Sequence, residues 1–288
     1  MEIVYYSKWG GSFNLSKNNY YWLTNIDGLT YASTSISSNI VGGIDGDEIN
    51  NIQAQPRGIV IDLRVKSGVD VEKAKMAVLG IVKLKQSCTL KWTQNDRVFQ
   101  ISGTVESINM PRFSRGVAMQ ISIHCSKPYW EDPDETLSEI SEAKNLHYFT
   151  DIPNDMLYFP EGGIPFGEYD TTRTRTFDNQ GDVAVGMQIE VLAISTVTNP
   201  IIYGDGGKFF GVGYEGKDIV MSPGDKLTIN TNVGEKSVYL NGVSKLDYVK
   251  PRSTWLQLAA GENTFSIDSD DSDLENMVFE IAYRQRYV

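Results

Sequence analysis

The sequence predicts a mainly β protein of two domains with one α-helix, and three observations carry that prediction. Apolar residues recur at alternate positions along most of the chain, as in Ile59-Val60-Ile61-Asp62-Leu63-Arg64-Val65, and period two is the mark of a half-buried strand. Only the segment after Asp70 has helical spacing. Between Trp130 and about Arg175 the chain turns rich in proline, glycine and acidic residues, and domains usually part in such stretches.

In chain order, the first strand with clear alternation spans 59–65, just after Pro56 and Gly58. Residues 98–108 and 117–125 read as two long strands. The segment from Met110 to Gly116 between them holds the proline and glycine of a turn, so the pair is expected to form an antiparallel hairpin. The helix is expected to begin at Asp70, whose carboxylate can cap it, with Glu72 at the positive end of the dipole. Val71, Ala74, Val78, Ile81 and Val82 would form its buried stripe, and Lys83 and Lys85 would sit near its far end. Gly80 counts slightly against a helix reaching that far.

The predicted layout is a domain over 1–132, a connecting segment over 133–175 and a second domain over 176–288. The connecting segment contains Tyr148, Phe149, Tyr158, Phe159 and Phe166, too many aromatics for a disordered linker. Beyond it the strands are shorter, with candidates at 185–194, 226–231, 237–240, 255–258, 264–267 and 277–283. Asn241-Gly242 signals a hairpin, because a type I′ turn needs positive φ at both central residues. Pro223-Gly224-Asp225 is a second turn. Short strands at close spacing suggest a β-sandwich.

Composition narrows the function. The chain has 288 residues, with 37 acidic against 26 basic side chains and a net charge of -11. Nucleic-acid affinity comes largely from lysine and arginine on phosphate, so an acidic chain is not expected to be a nucleic-acid binder. Two cysteines, Cys88 and Cys125, build no disulfide framework and are expected to be buried thiols in a reducing compartment. The start MEIVYYSKWGGS has no basic and apolar leader, and is expected not to be a signal peptide. The apolar run over 77–82 is far short of the ~20 residues that span a bilayer.

Each motif with chemical promise has a plainer reading. Gly211-Val212-Gly213-Tyr214-Glu215-Gly216 matches GxGxxG, but the residues after it read as strand and turn rather than a phosphate-binding helix. Asp268, Asp270, Asp271 and Asp273 suggest calcium, yet the run lacks the glycine and glutamate of an EF-hand loop. His124 and Cys125 are strand neighbours and point to opposite faces, and His147 is the other histidine. No ligand spacing suggests zinc, and no carboxylate pair stands out for acid–base work. Tyr203, Phe209, Phe210, Tyr214 and Trp255 could form a sugar platform, but core packing is the simpler use. No catalytic residue, cofactor or metal is expected.

The order of several phrases resembles the distal tail (Dit-like) proteins of siphophages and related phage-derived particles. Ile123-His124-Cys125-Ser126-Lys127-Pro128-Tyr129-Trp130 is similar to the close of that family's N-terminal domain. Met156-Leu157-Tyr158-Phe159-Pro160 and Ile164-Pro165-Phe166-Gly167 resemble the entry to its C-terminal domain. Phe177-Asp178-Asn179-Gln180-Gly181-Asp182, Trp255-Leu256-Gln257-Leu258-Ala259-Ala260-Gly261-Glu262-Asn263 and Phe279-Glu280-Ile281-Ala282-Tyr283-Arg284 look like its later turns and closing strand.

The resemblance implies an N-terminal tail-tube-like β-barrel or sandwich with one helix, and a C-terminal galectin-like β-sandwich. It implies a non-catalytic ring, usually a homohexamer and in some cases stacked, at the tail tip of a virion, made in the host cytoplasm. Expected partners are the tail tube protein, a tail-tip or tail-associated protein and the receptor-binding protein, with DNA passing through unbound. The alternative is a carbohydrate-binding adhesin of a phage tail or bacteriocin-like particle. A third reading, a tail-fused glycosidase or peptidase, lacks a recognisable catalytic group. The acidic, glycine-rich loop with Ile44, Asp45, Asp47 and Glu48 is the candidate for the ring lumen or an inter-subunit contact, with an outward solvent loop as its rival.

Overall fold

Alternation sets the strands, and the computed structural model shows which face each one buries. It describes residues 1–40, 42–43, 45–110, 118–138, 144–145, 167–168, 174–270 and 277–288. Outside them lie Ile44, the expected turn from Pro111 to Gly116, His147, Asp271 and Asp273. So do the aromatics of the connecting segment and most of the two phrases expected to open the second domain.

The first half runs β1 (Glu2–Ser7), β2 (Ser12–Asn14), β3 (Tyr21–Asp27), β4 (Thr34–Asn39), β5 (Glu48–Ala54), β6 (Arg57–Val65), α1 (Val71–Leu79), β7 (Ser87–Gln94), β8 (Arg97–Asn109), β9 (Ala118–Cys125) and β10 (Trp130–Glu131). The second runs β11 (Thr136–Ser138), β12 (Lys144–Asn145), β13 (Gly167–Glu168), β14 (Thr174–Asn179), β15 (Met187–Ala193), β16 (Val197–Thr198), β17 (Ile201–Tyr203), β18 (Phe209–Gly211), β19 (Val220–Met221), β20 (Lys226–Asn230), β21 (Ser237–Leu240), β22 (Val243–Ser244), β23 (Gly261–Asp268), β24 (Met277–Tyr283) and β25 (Arg286–Tyr287). The protein is therefore mainly β, and α1 is the one α-helix among the described residues.

Two units divide the chain, Met1–Pro133 with Arg286–Val288, and Asp134–Gln285. The last strand thus departs from the expected second domain of 176–288. β25 pairs antiparallel with β10, Trp130 opposite Tyr287 and Glu131 opposite Arg286. Side chains explain the return. The Tyr287 ring meets Phe99 edge-on at 5.2 Å, its hydroxyl donates to Asp132 at 3.1 Å, and Arg286 pairs with Glu131 at 2.9 Å.

In the first unit one sheet runs β2-β1-β7-β8-β9-β6-β3, with β10 and β25 attached beside β8. The sheet is open, since β2 and β3 end the path. Ile59, Ile61 and Leu63 of β6 and Ile121 and Ile123 of β9 are buried in one cluster with Ala74, Val78 and Val82. Asp70 caps α1 as expected, accepting from the Glu72 and Lys73 amides at 2.9 and 3.3 Å. The helix stops at Leu79, so Lys83 and Lys85 lie beyond it. The chain is drawn off the helix because Lys85 N–H donates to Val105 O and Val105 N–H to Gln86 O, both at 3.0 Å.

In the second unit the sheet β11-β24-β15-β20-β21-β22 and the sheet β14-β23-β17-β18 form a β-sandwich around one apolar cluster. The first contributes Ile189, Val191, Ile229 and Phe279, the second Phe177, Phe210 and Phe265. The expected strand at 255–258 does not form, although Leu256 and Leu258 are buried. The Leu258 carbonyl serves Val185 N–H and the Asn179 amide instead of a ladder. Asn241 and Gly242 both have positive φ, 47° and 79°, in the turn joining β21 to β22. Among the described residues no helix is long and apolar enough to cross a membrane.

Candidate functional site

One element of the first unit belongs to neither its main sheet nor its core. Strands β4 and β5 pair only with each other, and every residue of them except Ala54 is exposed. Thr34 faces Ala54, Ile36 faces Ile52 and Ser38 faces Ile49, with a register shift after Ser37. That bulge at Asn50 restores the phase, so Ile49 lies on the same face as Ile36 and Ile52. The opposite face carries only polar pairs, Ser35 with Gln53, Ser37 with Asn51 and Asn39 with Glu48. A two-stranded hairpin alone is marginal in water, yet Ile36, Ile49 and Ile52 are 59%, 53% and 60% exposed.

The hairpin's root is held firmly. Arg57 is buried at the start of β6. Its Nη1 donates to the carbonyls of Gly28 and Leu29 at 2.9 Å each, and its Nε to Pro128 O at 2.7 Å. Trp130 Nε1 also donates to Leu29 O, at 2.9 Å. Burial without a carboxylate partner pulls the Arg57 pKa below the usual arginine range. Gly28 has φ +83°, and a Cβ there would lie 2.1 Å from Gly58 O. The β3–β4 connection thus leaves the sheet at a fixed point.

Asp47 and Glu48 lie at the far end of the hairpin with Asp45, all three exposed. Ser38 Oγ donates to the Asp47 carboxylate. Residues 28–56 contain these three acids besides no lysine or arginine. Of the predicted loop, Asp45, Asp47 and Glu48 are exposed, and Ile44 lies outside the described residues. Sequence reasoning missed Ile36, Ile49 and Ile52, because a Ser- and Asn-rich setting masks their alternation and the bulge breaks its phase.

Of the other candidates, Phe210 and both cysteines are buried, while His124 and Tyr203 are exposed. Gly211 ends β18, Gly213 and Gly216 have φ of 94° and 84°, and the next element is β19, not a helix. His124 is exposed while Cys125 is buried. Cys88 pairs with Gly103 across β7 and β8, and a Cβ on Gly103 would meet Cys125 Sγ at 2.8 Å. Burial pushes the Cys88 thiol up to about 11. Burial, then the nearby Cys88, pushes Cys125 up to about 12. Phe210 is buried against Trp255 at 4.7 Å between centroids. Asp270 accepts from Asn199, as does Asp218, each at 2.8 Å. Among the described residues no three His, Cys, Asp or Glu side chains group to hold a metal ion.

In the second unit the phrases of the resemblance converge. Phe177, Asp178 and Asn179 pair with Asn263, Glu262 and Gly261. Asn179 Nδ2 donates to Val183, Leu258 and Ala259 carbonyls at 3.1, 3.2 and 3.1 Å. Tyr283 Oη donates to Asp178 O at 2.9 Å. Side-chain amides that satisfy buried carbonyls fix these turns.

The comparisons agree with this picture. Residues 180–287 match a family model described as the siphovirus-type tail component, C-terminal domain. The crystal structure of phage SPP1 Dit (gp 19.1), described as a paradigm of the hub adsorption apparatus in phages infecting Gram-positive bacteria, matches with TM-score 0.67 and 12% identity, over 99% of each chain. A phage P2 baseplate structure in its activated conformation with calcium gives TM-score 0.45 and 10% identity, over 98% of this chain and 97% of that one, too weak a likeness to argue from. No curated protein sequence matches. The chain thus shares the SPP1 Dit fold along its length, and its residues 180–287 match the siphovirus-type tail component family model.

Proposed function

We propose that this chain is the structural hub of a phage tail, a ring joining the tail tube to the tail tip and receptor-binding apparatus. The observation that carries the reading is the end-to-end likeness to SPP1 Dit, with both units present in the same chain order. The family match over 180–287 supports it independently. The first unit, with its open sheet and projecting hairpin, is the ring-forming part; the sandwich of the second unit reaches toward the tail-tip proteins. Six copies close the ring, and a second ring stacks on it. Neighbours are the tail tube protein, a tail-tip or tail-associated protein and the receptor-binding protein. The chain does no chemistry of its own. It is made in the host cytoplasm and functions at the virion tail tip.

DNA passes through without specific binding. DNA carries one charge per ~1.7 Å of its axis, so a basic channel would retain it. A neutral or acidic lumen suits the net charge of -11. Negative-stain microscopy with native mass spectrometry tests the reading. Rings of six or twelve copies are expected, and monomer at every concentration would overturn it.

A further inference from the structure

Two exposed apolar surfaces of opposite charge lie in the first unit. One is the isoleucine face of the β4–β5 hairpin, beside Asp45, Asp47 and Glu48. The other surrounds α1. Met76 is 66% exposed on the side of the helix away from buried Ala74 and Val78, and Leu84 is 54% exposed just beyond it. Trp9, 79% exposed, is on the β1–β2 turn. That turn is tied to this region, since Lys8 N–H donates to Ser87 O at 3.3 Å and a Cβ on Gly11 would lie 3.8 Å from the Ile81 side chain. Residues 73–85 contain Lys73, Lys75, Lys83 and Lys85 and no acid. Lys75 is engaged by Glu72 at 3.7 Å, while Lys73, Lys83 and Lys85 are exposed.

We infer that the hairpin is an arm that docks on a second copy of this chain, its isoleucine face on Met76, Leu84 and Trp9 and its acids among Lys73, Lys83 and Lys85. The inference rests on the ring reading and names the contact that closes the ring. Charge selects the occupant: three acids without a base meet three exposed lysines, Lys73, Lys83 and Lys85. The two surfaces differ, so the contact is head-to-tail, and head-to-tail contacts close into rings when the rotation divides a full turn. Water is an unfavourable neighbour for three isoleucines on one face of the hairpin, and covering them removes that exposure. The assignment takes the acidic loop as an inter-subunit contact rather than a lumen lining.

The test uses two full-length variants, D45K/D47K/E48K and K73E/K83E/K85E. Either one alone meets like charge at every contact and is expected to assemble at least roughly tenfold more weakly. Mixed in equal amounts they restore complementary contacts, positive arm on acidic patch and acidic arm on basic patch. Native mass spectrometry should then find rings with equal numbers of the two. A single chain carrying all six substitutions should also form rings. Rings from either variant alone at wild-type concentrations would overturn the inference while leaving the hub reading intact. So would loss of rings that neither the mixture nor the six-fold variant recovers. A wild-type protein that never assembles would instead overturn the ring reading itself.

Discussion

The side-chain amides of Asn179 and Asn263 donate to one backbone oxygen, that of Ala259, from 3.1 and 2.8 Å. The two residues belong to paired strands, β14 and β23, and Asn263 also accepts from Ala259 N–H at 2.7 Å. This knot replaces the ladder that residues 255–258 lack. Replacing Asn179 by alanine removes one donor from each of the Val183, Leu258 and Ala259 carbonyls; Leu258 O keeps Val185 N–H and Ala259 O keeps Asn263 Nδ2. The expected cost is about 2–3 kcal/mol, read as a lower denaturant midpoint for the second unit. A cost near zero would mean that water satisfies those carbonyls equally well.

Gly28 is a position where only glycine fits. A Cβ there would collide with Gly58 O, and φ +83° is strained for other residues. Gly28→Ala is expected to destabilise the first unit by about 2–4 kcal/mol. Gly10→Ala is the control: its φ is +86° but a Cβ meets nothing within 4 Å, so its cost should be only about 1 kcal/mol. Urea unfolding of both variants separates collision from strain.

Cys88 and Cys125 are expected to resist labelling at pH 8 in the folded protein. Their thiols are neutral there, because burial lifts them to about 11 and about 12. In the unfolded chain a thiol ionises near ~8.5. The folded state therefore holds more protons above that pH, and stability falls as pH rises from ~8.5 toward the folded values. Each thiol should contribute a slope of up to about 1.4 kcal/mol per pH unit in that window. The two residues flank Gly103 on alternate strands, about 10 Å apart at the backbone, beyond disulfide reach. Stability measured from pH 8 to 10.5 in wild type and the Cys88→Ala, Cys125→Ala double variant checks the sign; identical slopes would contradict it.

Tyr287 closes an aromatic run in which Phe99 lies 5.2 Å away and Trp92, tilted by 41°, lies 5.7 Å beyond it. Tyr287→Ala should cost the first unit about 3 kcal/mol. Trp92 and Trp130 should become wetter, with emission shifted to the red. A fragment of residues 1–132 lacks β25 altogether and should show the same shift. Unchanged emission in both would mean that the last strand adds little.

The strands that bury one face were legible because β6 and β9 keep strict alternation from end to end. Asp70 was legible because a helix start has its own side-chain chemistry. The end of α1 was not, since the backbone pairing of Lys85 and Gln86 with Val105 overrides the helical spacing of Ile81 and Val82. Strands β4 and β5 were hidden because their apolar residues face outward and a bulge shifts their phase. Asp45, Asp47 and Glu48 could be picked out by charge and glycine, but the isoleucine face beside them needed the register. The return of β25 depends on contacts 155 positions apart, which no local pattern encodes.

That return also orders events during synthesis. β10 leaves the ribosome long before β25 exists, and at ~5–20 residues per second the delay is roughly 8–30 s. Until then Trp130 and Phe99 wait without their partner strand. A chain released early carries every residue of the hairpin and of the lysine patch, yet its first unit is unfinished. Each such chain lacks the strand that lies opposite Trp130 and the ring that meets Phe99 edge-on.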